Sequence, residues 1–403
     1  MHVKLHPELE DNPQAQHAAA LASACVHCGF CLETCPTYLD ARDERDSPRG
    51  RIYLVAQLLE SASAGSATRT HLDRCLTCRG CETTCPSGVE YGQILDIGRA
   101  LVEDAAHRPA DSRAARWLLR TLFTRHWLLQ PALRCAQLLR PLLPAKLRSQ
   151  VPPRQSSGAR PGQQHSRRML MLAGCVQRAA TPRTNAAAQR VLNRLGITLF
   201  AAPSAGCCGA LNYHLAAHAD GLDDIRRNID AWWPHIEQGV EAIVSSASGC
   251  GAMLADYGRL LAGDPLYAEK AERVSALSRD LADVVSNEDL SSLIPEKNRG
   301  KVALHTPCTL THAQQLPQLL EQMLRRAGIT LAATRDSHLC CGSAGTYSIL
   351  QPQAAARLRD KKLSALGVDH PSLIATANVG CQLHLQTAAD IPVKHWIELL
   401  DSE

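Results

Sequence analysis

Sixteen of the chain's 17 cysteines fall into recurring patterns whose spacing points to metal chemistry. Cys25-Val-His-Cys28-Gly-Phe-Cys31-Leu-Glu-Thr-Cys35-Pro36 is matched by Cys75-Leu-Thr-Cys78-Arg-Gly-Cys81-Glu-Thr-Thr-Cys85-Pro86. Both read C-x2-C-x2-C-x3-C-P, a spacing that holds [4Fe–4S] cubanes in pairs. Three thiolates two residues apart wrap three corners of one cube. The fourth, at a helix start fixed by proline, reaches across to the other cube. On that crossover Cys25, Cys28, Cys31 and Cys85 hold one cluster, while Cys75, Cys78, Cys81 and Cys35 hold the second. Zinc fits poorly, because it usually takes two separated C-x2-C pairs.

Thirty-nine residues separate Cys35 from Cys75, and they include Pro48-Arg49-Gly50-Arg51 followed by the apolar-periodic stretch from Ile52 to Leu59. That pattern predicts an inserted helical pair. The module resembles the α-helical ferredoxin domain of succinate dehydrogenase-type iron–sulfur subunits. Arg49 and Arg51 lie near the clusters, where they either tune potential by charge or cap and solvate a helix.

The second half repeats at an offset near 133 residues. Cys175 corresponds to Cys308, Cys207-Cys208-Gly209 to Cys340-Cys341-Gly342, and Gly249-Cys250 to Gly380-Cys381. Such a duplication packs as two halves. Each copy alternates strand and helix: Arg168–Ala173 and Lys301–His305 read as buried strands, Thr184–Leu195 and Leu316–Ala327 as helices closed by Gly196 and Gly328. A short strand then leads to the Cys-Cys-Gly turn, and a last strand ends at Cys250 or Cys381. The cysteines therefore fall at strand ends and helix N-termini, where α/β units build sites and where thiolate is favoured. Each copy can assemble a four-thiolate site: Cys175, Cys207, Cys208 and Cys250, and Cys308, Cys340, Cys341 and Cys381. One or two further iron–sulfur clusters, zinc, and redox thiols are the open readings. His214, His218, His305, His312, His338 and His384 flank these turns, and any single one reads more readily as packed or solvated than as a ligand.

The 403 residues allow several domains, and their 45% apolar and 20% charged content is that of a globular chain. Aromatics at 4% argue against nucleic-acid stacking platforms. Residues 108–168 hold 12 Arg, Lys146 and one acid, Asp111, so this stretch carries about +12 and the remainder roughly −8. Leu118, Leu119, Leu122, Trp127 and Leu129 can share one helical stripe with Arg116, Arg120 and Arg125 off it. Such a helix lies in a membrane interface, meets an acidic partner, or packs on the ferredoxin domain with solvated arginines. Cys135 stands alone and reads as an ordinary buried thiol. Residues 149–168 have linker composition. The expected units are 1–105, the ferredoxin-like domain; 106–167, basic helices and linker; and 168–297 and 298–403, the two cysteine-rich copies. No secretory signal and no transmembrane run is read, which places the chain in the reducing cytoplasm.

The tandem turns are similar to the cysteine-rich CCG domains found in heterodisulfide reductases, in the iron–sulfur component of anaerobic glycerol-3-phosphate dehydrogenase and in lactate-utilisation proteins. The whole order, with Asp-Ser-Pro-Arg-Gly-Arg-Ile and Cys-Pro-Ser-Gly-Val-Glu-Tyr-Gly, most resembles glycolate oxidase iron–sulfur subunits. The fold class is thus multidomain: a helical ferredoxin-like domain followed by a duplicated α/β CCG pair. The resemblance implies a complex with FAD-binding subunits that oxidise glycolate to glyoxylate, this chain carrying electrons to a membrane quinone from the cytoplasmic face of the inner membrane. Lactate or glycerol-3-phosphate systems and a heterodisulfide-reductase-like catalytic role are the alternatives. The disulfide-reducing relatives end each CCG domain in C-x2-C; here Met253 and His384 stand at the last positions, which leaves four-thiolate coordination or a vacant site open. The chain has no flavin or nicotinamide fingerprint, so it is not expected to be catalytic alone.

Overall fold

Prolines and capping side chains set the helices that follow the N-terminal cysteines. Cys35 is the N-cap of helix Pro36–Ala41, and Ser47 caps helix Pro48–Ser61 by accepting from the Gly50 N–H at 2.9 Å. Proline suits these positions because a first-turn N–H has no helical partner to lose. The computed structural model describes residues 2–293 and 300–402. The expected pair between the cysteine runs is formed by Pro48–Ser61 and Ser66–Asp73, and helix Tyr91–Ala105 packs on both. Val55, Leu59, Leu72, Ile94, Leu95 and Val102 are buried among them.

The basic segment forms two helices, Ala110–Thr124 and His126–Leu139, because Arg125 leaves the helical region (φ −105°, ψ 96°). The break splits the expected stripe. Leu129 is buried, whereas Trp117, Leu118 and Trp127 are 60%, 56% and 63% exposed. Nor are the arginines simply solvated: Arg116 pairs with Asp73 at 2.8 Å in a mostly buried position, and Arg120 reaches Asp220 at 3.6 Å. Cys135 is exposed rather than buried. It lies six residues beyond Leu129, about a third of a turn round from the buried face. Among the described residues, no helix is long and apolar enough to cross a membrane.

The first cysteine-rich copy builds a parallel sheet in the order β2-β1-β3-β4, from β1 Arg167–Leu172, β2 Ile197–Phe200, β3 Ile243–Ser245 and β4 Ser278–Asp280. The second builds β5-β6-β7 from β5 Val302–His305, β6 Leu373–Thr376 and β7 Val393–His395. Leu331 makes only an isolated bridge to Val302 where the first copy has β2. Helix Pro182–Arg194 is followed by Gly196 at φ +78°, and its counterpart by Gly328 at φ +81°. That counterpart starts at Leu319 rather than Leu316, because Pro317 precedes a left-handed Gln318 (φ +62°). The expected boundary between residues 297 and 298 lies outside the described residues. The two copies share one apolar core, with Met171, Val191 and Val285 from the first and Val302, Leu324 and Trp396 from the second.

Candidate metal centres

Cys35, Cys75, Cys78 and Cys81 line one small cavity, together with Arg51, Leu76 and Tyr91. Cys25, Cys28, Cys31 and Cys85 line another, beside Phe30 and Arg49. Cys81 and Tyr91 line both, so the two cavities adjoin. The structure therefore gathers each set of four, the crossover cysteines Cys35 and Cys85 included.

The sulfurs of Cys78 and Cys81 are crowded and poorly hydrated. Burial pushes the Cys78 and Cys81 thiols well up, and neighbouring thiolate charge adds to it, from Cys340 and Cys75 for Cys78 and from Cys78 and Cys75 for Cys81. Bare thiolates cannot ionise together in such a place, whereas a coordinating thiol is deprotonated outright by its metal. The donor chemistry thus fits an iron–sulfur cluster. Arg51, 1% exposed, supplies positive charge at the cavity wall. It donates to Thr37 Oγ1 at 3.1 Å, the His71 carbonyl at 2.7 Å and Asp46 at 3.3 Å, and Thr37 Oγ1 lies 3.3 Å from Cys35 Sγ. A solvated Arg51 is thereby ruled out. Arg49 is tied to Glu44 at 2.6 Å and donates to the His27 carbonyl at 3.4 Å.

Each cysteine-rich copy strings its four sulfurs in the same order. In the first, the Cys175 thiol meets Cys207 at 3.7 Å, and Cys208 meets Cys250. In the second, Cys308 meets Cys340, and the Cys341 thiol donates to Cys381 at 3.1 Å. That hydrogen bond, against the cost of burial, holds the Cys381 thiol down to about 5. Cys175 opens helix Cys175–Ala180, while Cys250 and Cys381 are the third residues of Ser248–Ala255 and Val379–Gln386, so all three sit in the first turn of a helix. The glycine after each Cys-Cys pair is required. Gly209 and Gly342 sit at φ +89° and +83°, and a Cβ on either would come within 2.7 Å of a carbonyl, Gly221's or Ala355's.

Five of the six flanking histidines are engaged elsewhere or exposed. His214 pairs with Asp96 at 3.0 Å, His218 stacks on Tyr213 with centroids 4.1 Å apart, His312 meets Thr83 at 2.9 Å, His384 meets the Ala355 carbonyl at 3.2 Å, and His338 is exposed. His305 alone of the six is buried next to the sulfurs, within 4.8 Å of those of Cys341 and Cys381. Sequence reasoning missed two buried supports. Asn228 donates to the Cys207 carbonyl at 2.6 Å and to Tyr257, whose hydroxyl donates to the Cys208 carbonyl at 2.9 Å. In the second copy Lys362, fully buried, donates to the carbonyls of Asp336 and Ser337 ahead of Cys340. Asn228 and Lys362 each lie seven residues after the residue, Gly221 or Ala355, whose carbonyl faces the Cys-Cys-Gly glycine, and no local motif marks either of them.

The ferredoxin-like module docks on the second copy through its own cysteine loop. Leu76 and Cys78 pack with Cys308, Cys340, Tyr347, Ala355 and Leu358 in one apolar cluster. Asp40 fixes the orientation, accepting from Arg357 at 2.7 Å and Lys361 at 3.1 Å.

Comparison with known proteins agrees with this architecture. A 4Fe-4S dicluster domain matches residues 21–89, and a cysteine-rich domain named CCG matches 169–255 and 302–386. The glycolate oxidase iron-sulfur subunit of Escherichia coli is 50% identical over 402 residues, covering 100% of this chain and 98% of that protein. The chain belongs to the glycolate oxidase iron–sulfur subunit family. Within that family, a probable glycolate oxidase iron-sulfur subunit of Bacillus subtilis is 30% identical, over 90% of this chain and 88% of its own length. Outside it, lactate utilization protein A of Bacillus velezensis is 27% identical over 53% of this chain. Family membership makes this an iron–sulfur protein with a helical ferredoxin-like region and two CCG domains.

Proposed function

We propose that the chain is the electron-transfer subunit of a flavin-dependent glycolate dehydrogenase complex, carrying electrons from FAD-binding subunits to a membrane quinone-type acceptor. In this reading Cys25, Cys28, Cys31 and Cys85 hold one [4Fe–4S] cluster and Cys75, Cys78, Cys81 and Cys35 the second. Cys175, Cys207, Cys208 and Cys250, and Cys308, Cys340, Cys341 and Cys381, hold further centres, and the units run 1–105, 106–167, 168–297 and 298–403. When bound, such clusters take up and release single electrons at potentials set by charge, hydrogen bonding and exposure.

One observation carries the reading: three of the four cysteine sets adjoin one another. Cys81 and Tyr91 separate the first cavity from the second, and Cys78 packs into the cluster that holds Cys308 and Cys340. The two ends differ in access. Cys28 is exposed beside Val26 and Phe30, which are 66% and 64% exposed, whereas Cys340, Cys341 and Cys381 are buried. The apolar rim around Cys28 suits a docking redox partner, and the buried end keeps water off its thiolates. The exposed Trp117, Leu118, Trp127, Leu138 and Leu142 on the basic segment suit the anionic face of a membrane.

Cys78→Ala in the assembled complex tests the reading. Glycolate-dependent dye reduction should be lost while flavin content stays intact. Reduction of the isolated chain by glycolate without a flavoprotein would contradict it.

A further inference from the structure

His305 ends β5 and is 1% exposed. Among the described residues no nitrogen or oxygen atom bonds either ring nitrogen, and its hydrogen-bonding neighbour is the Cys381 thiol. A buried imidazole ordinarily recovers its lost hydration through a bond to nitrogen or oxygen, whereas the polar groups this ring meets are a pair of sulfurs. One ring nitrogen lies within 4.8 Å of the Cys341 and Cys381 sulfurs, which themselves are 3.1 Å apart. Three donor atoms at that spacing surround a point that a metal can occupy, and neutral imidazole is a ready ligand alongside thiolate.

Comparison of the two copies sharpens the point. At the repeat offset, the first copy has Leu172 where the second has His305, each closing its sheet's strand ahead of a cysteine. Leu172 is buried in the apolar core of its own copy and offers no donor. The second copy also places Lys362 where the first has Asn228. The second centre is therefore walled by an imidazole and an ammonium, the first by a leucine and an amide.

We propose that His305 is a metal ligand of the second CCG centre, completing a five-donor set with Cys308, Cys340, Cys341 and Cys381 that the first copy cannot form. This rests on the reading of those four cysteines as a metal centre. An imidazole adds a donor without adding negative charge. Histidine ligation raises the potential of an iron–sulfur centre relative to all-thiolate ligation, so the two copies hold centres of different poise.

The test uses the full chain purified without oxygen, with release of iron and zinc to EDTA followed over time. The variants are His305→Leu, His305→Cys and Cys381→Ser. Leucine at the matching strand end of the first copy shows that this side chain is compatible with the fold. His305→Leu is expected to release the metal of one centre about tenfold faster than the parent, and His305→Cys, which restores a donor, to release it slowly. Nitrogen hyperfine coupling from 15N-histidine-labelled protein should be present in the parent and absent from both His305 variants. If Cys381→Ser loses metal while His305→Leu releases it at the parent rate, His305 is no ligand but the centre stands. If Cys381→Ser leaves the metal content unchanged, the centre itself is wrong and the proposal falls with it.

Discussion

Cys78 and Cys340, 262 positions apart in sequence, are neighbours in one buried apolar cluster. The charge of a Cys340 thiolate, after burial, is the foremost influence raising the Cys78 thiol. This junction is where the helical module meets the duplicated half, and Leu76, 5% exposed, fills its centre. Leu76→Ala removes that filling. It is expected to destabilise the docked module by ~2–5 kcal/mol, read as a lower denaturant midpoint, and to slow reduction of the second CCG centre in rapid mixing. Unchanged stability would place the junction outside the cooperative structure.

Asp46 is 2% exposed and accepts from Arg51 at 3.3 Å, His71 at 2.8 Å and Arg74 at 3.2 Å. Asp46→Ala strands the buried Arg51 guanidinium beside the Cys35–Cys81 cavity. The expected cost is roughly 3–5 kcal/mol, with faster loss of iron from the N-terminal module on dilution into air. Replacing the exposed partner of Asp43, Arg45→Ala, should leave both readouts within error, since surface pairs contribute little.

Burial pushes the Asp280 carboxyl up to about 7, against hydrogen bonds from the Ala282 N–H and Gln314. The native state then holds a proton that the unfolded chain has released, so this group's contribution to stability falls as pH rises from about 4 to about 7. Asp280→Asn keeps a capping side chain and removes the titration. Between pH 5 and 8 the parent should lose roughly 2–3 kcal/mol relative to the variant, measured as the difference in unfolding free energy at each pH. Parallel profiles for the two proteins would contradict the assignment.

The exposed tryptophans of the basic segment predict surface binding. The Trp117→Ala, Trp127→Ala double variant is expected to partition about tenfold more weakly into vesicles of anionic lipid, with iron content unchanged. Sedimentation with vesicles reads the effect. A parent chain that stays in the supernatant at low salt would remove the membrane from the account.

The cysteine sets were legible because their chemistry imposes fixed spacing: Cys35 and Cys85 declare a crossover through their distance from the other three and the proline that follows. The α/β duplication was equally legible, since Gly209 and Gly342 must follow each Cys-Cys pair to clear a backbone carbonyl. What stayed hidden depends on contacts between distant segments. Nothing local distinguishes His305 from His384, yet one is buried facing sulfur and the other bonds the Ala355 carbonyl. Arg51 could be placed near a cluster but not buried, because Asp46 and the His71 carbonyl reach it only after the helical pair has folded. The helix break at Arg125 carries no proline or glycine signal, so the continuous apolar stripe was a natural reading of a segment that bends.

Iron and acid-labile sulfide, counted per chain on protein purified and handled without oxygen, test the cysteine assignment at its root. Two cubanes in the N-terminal module predict at least about eight irons and a brown, dithionite-bleachable chromophore. A colourless chain filled with zinc would contradict the account.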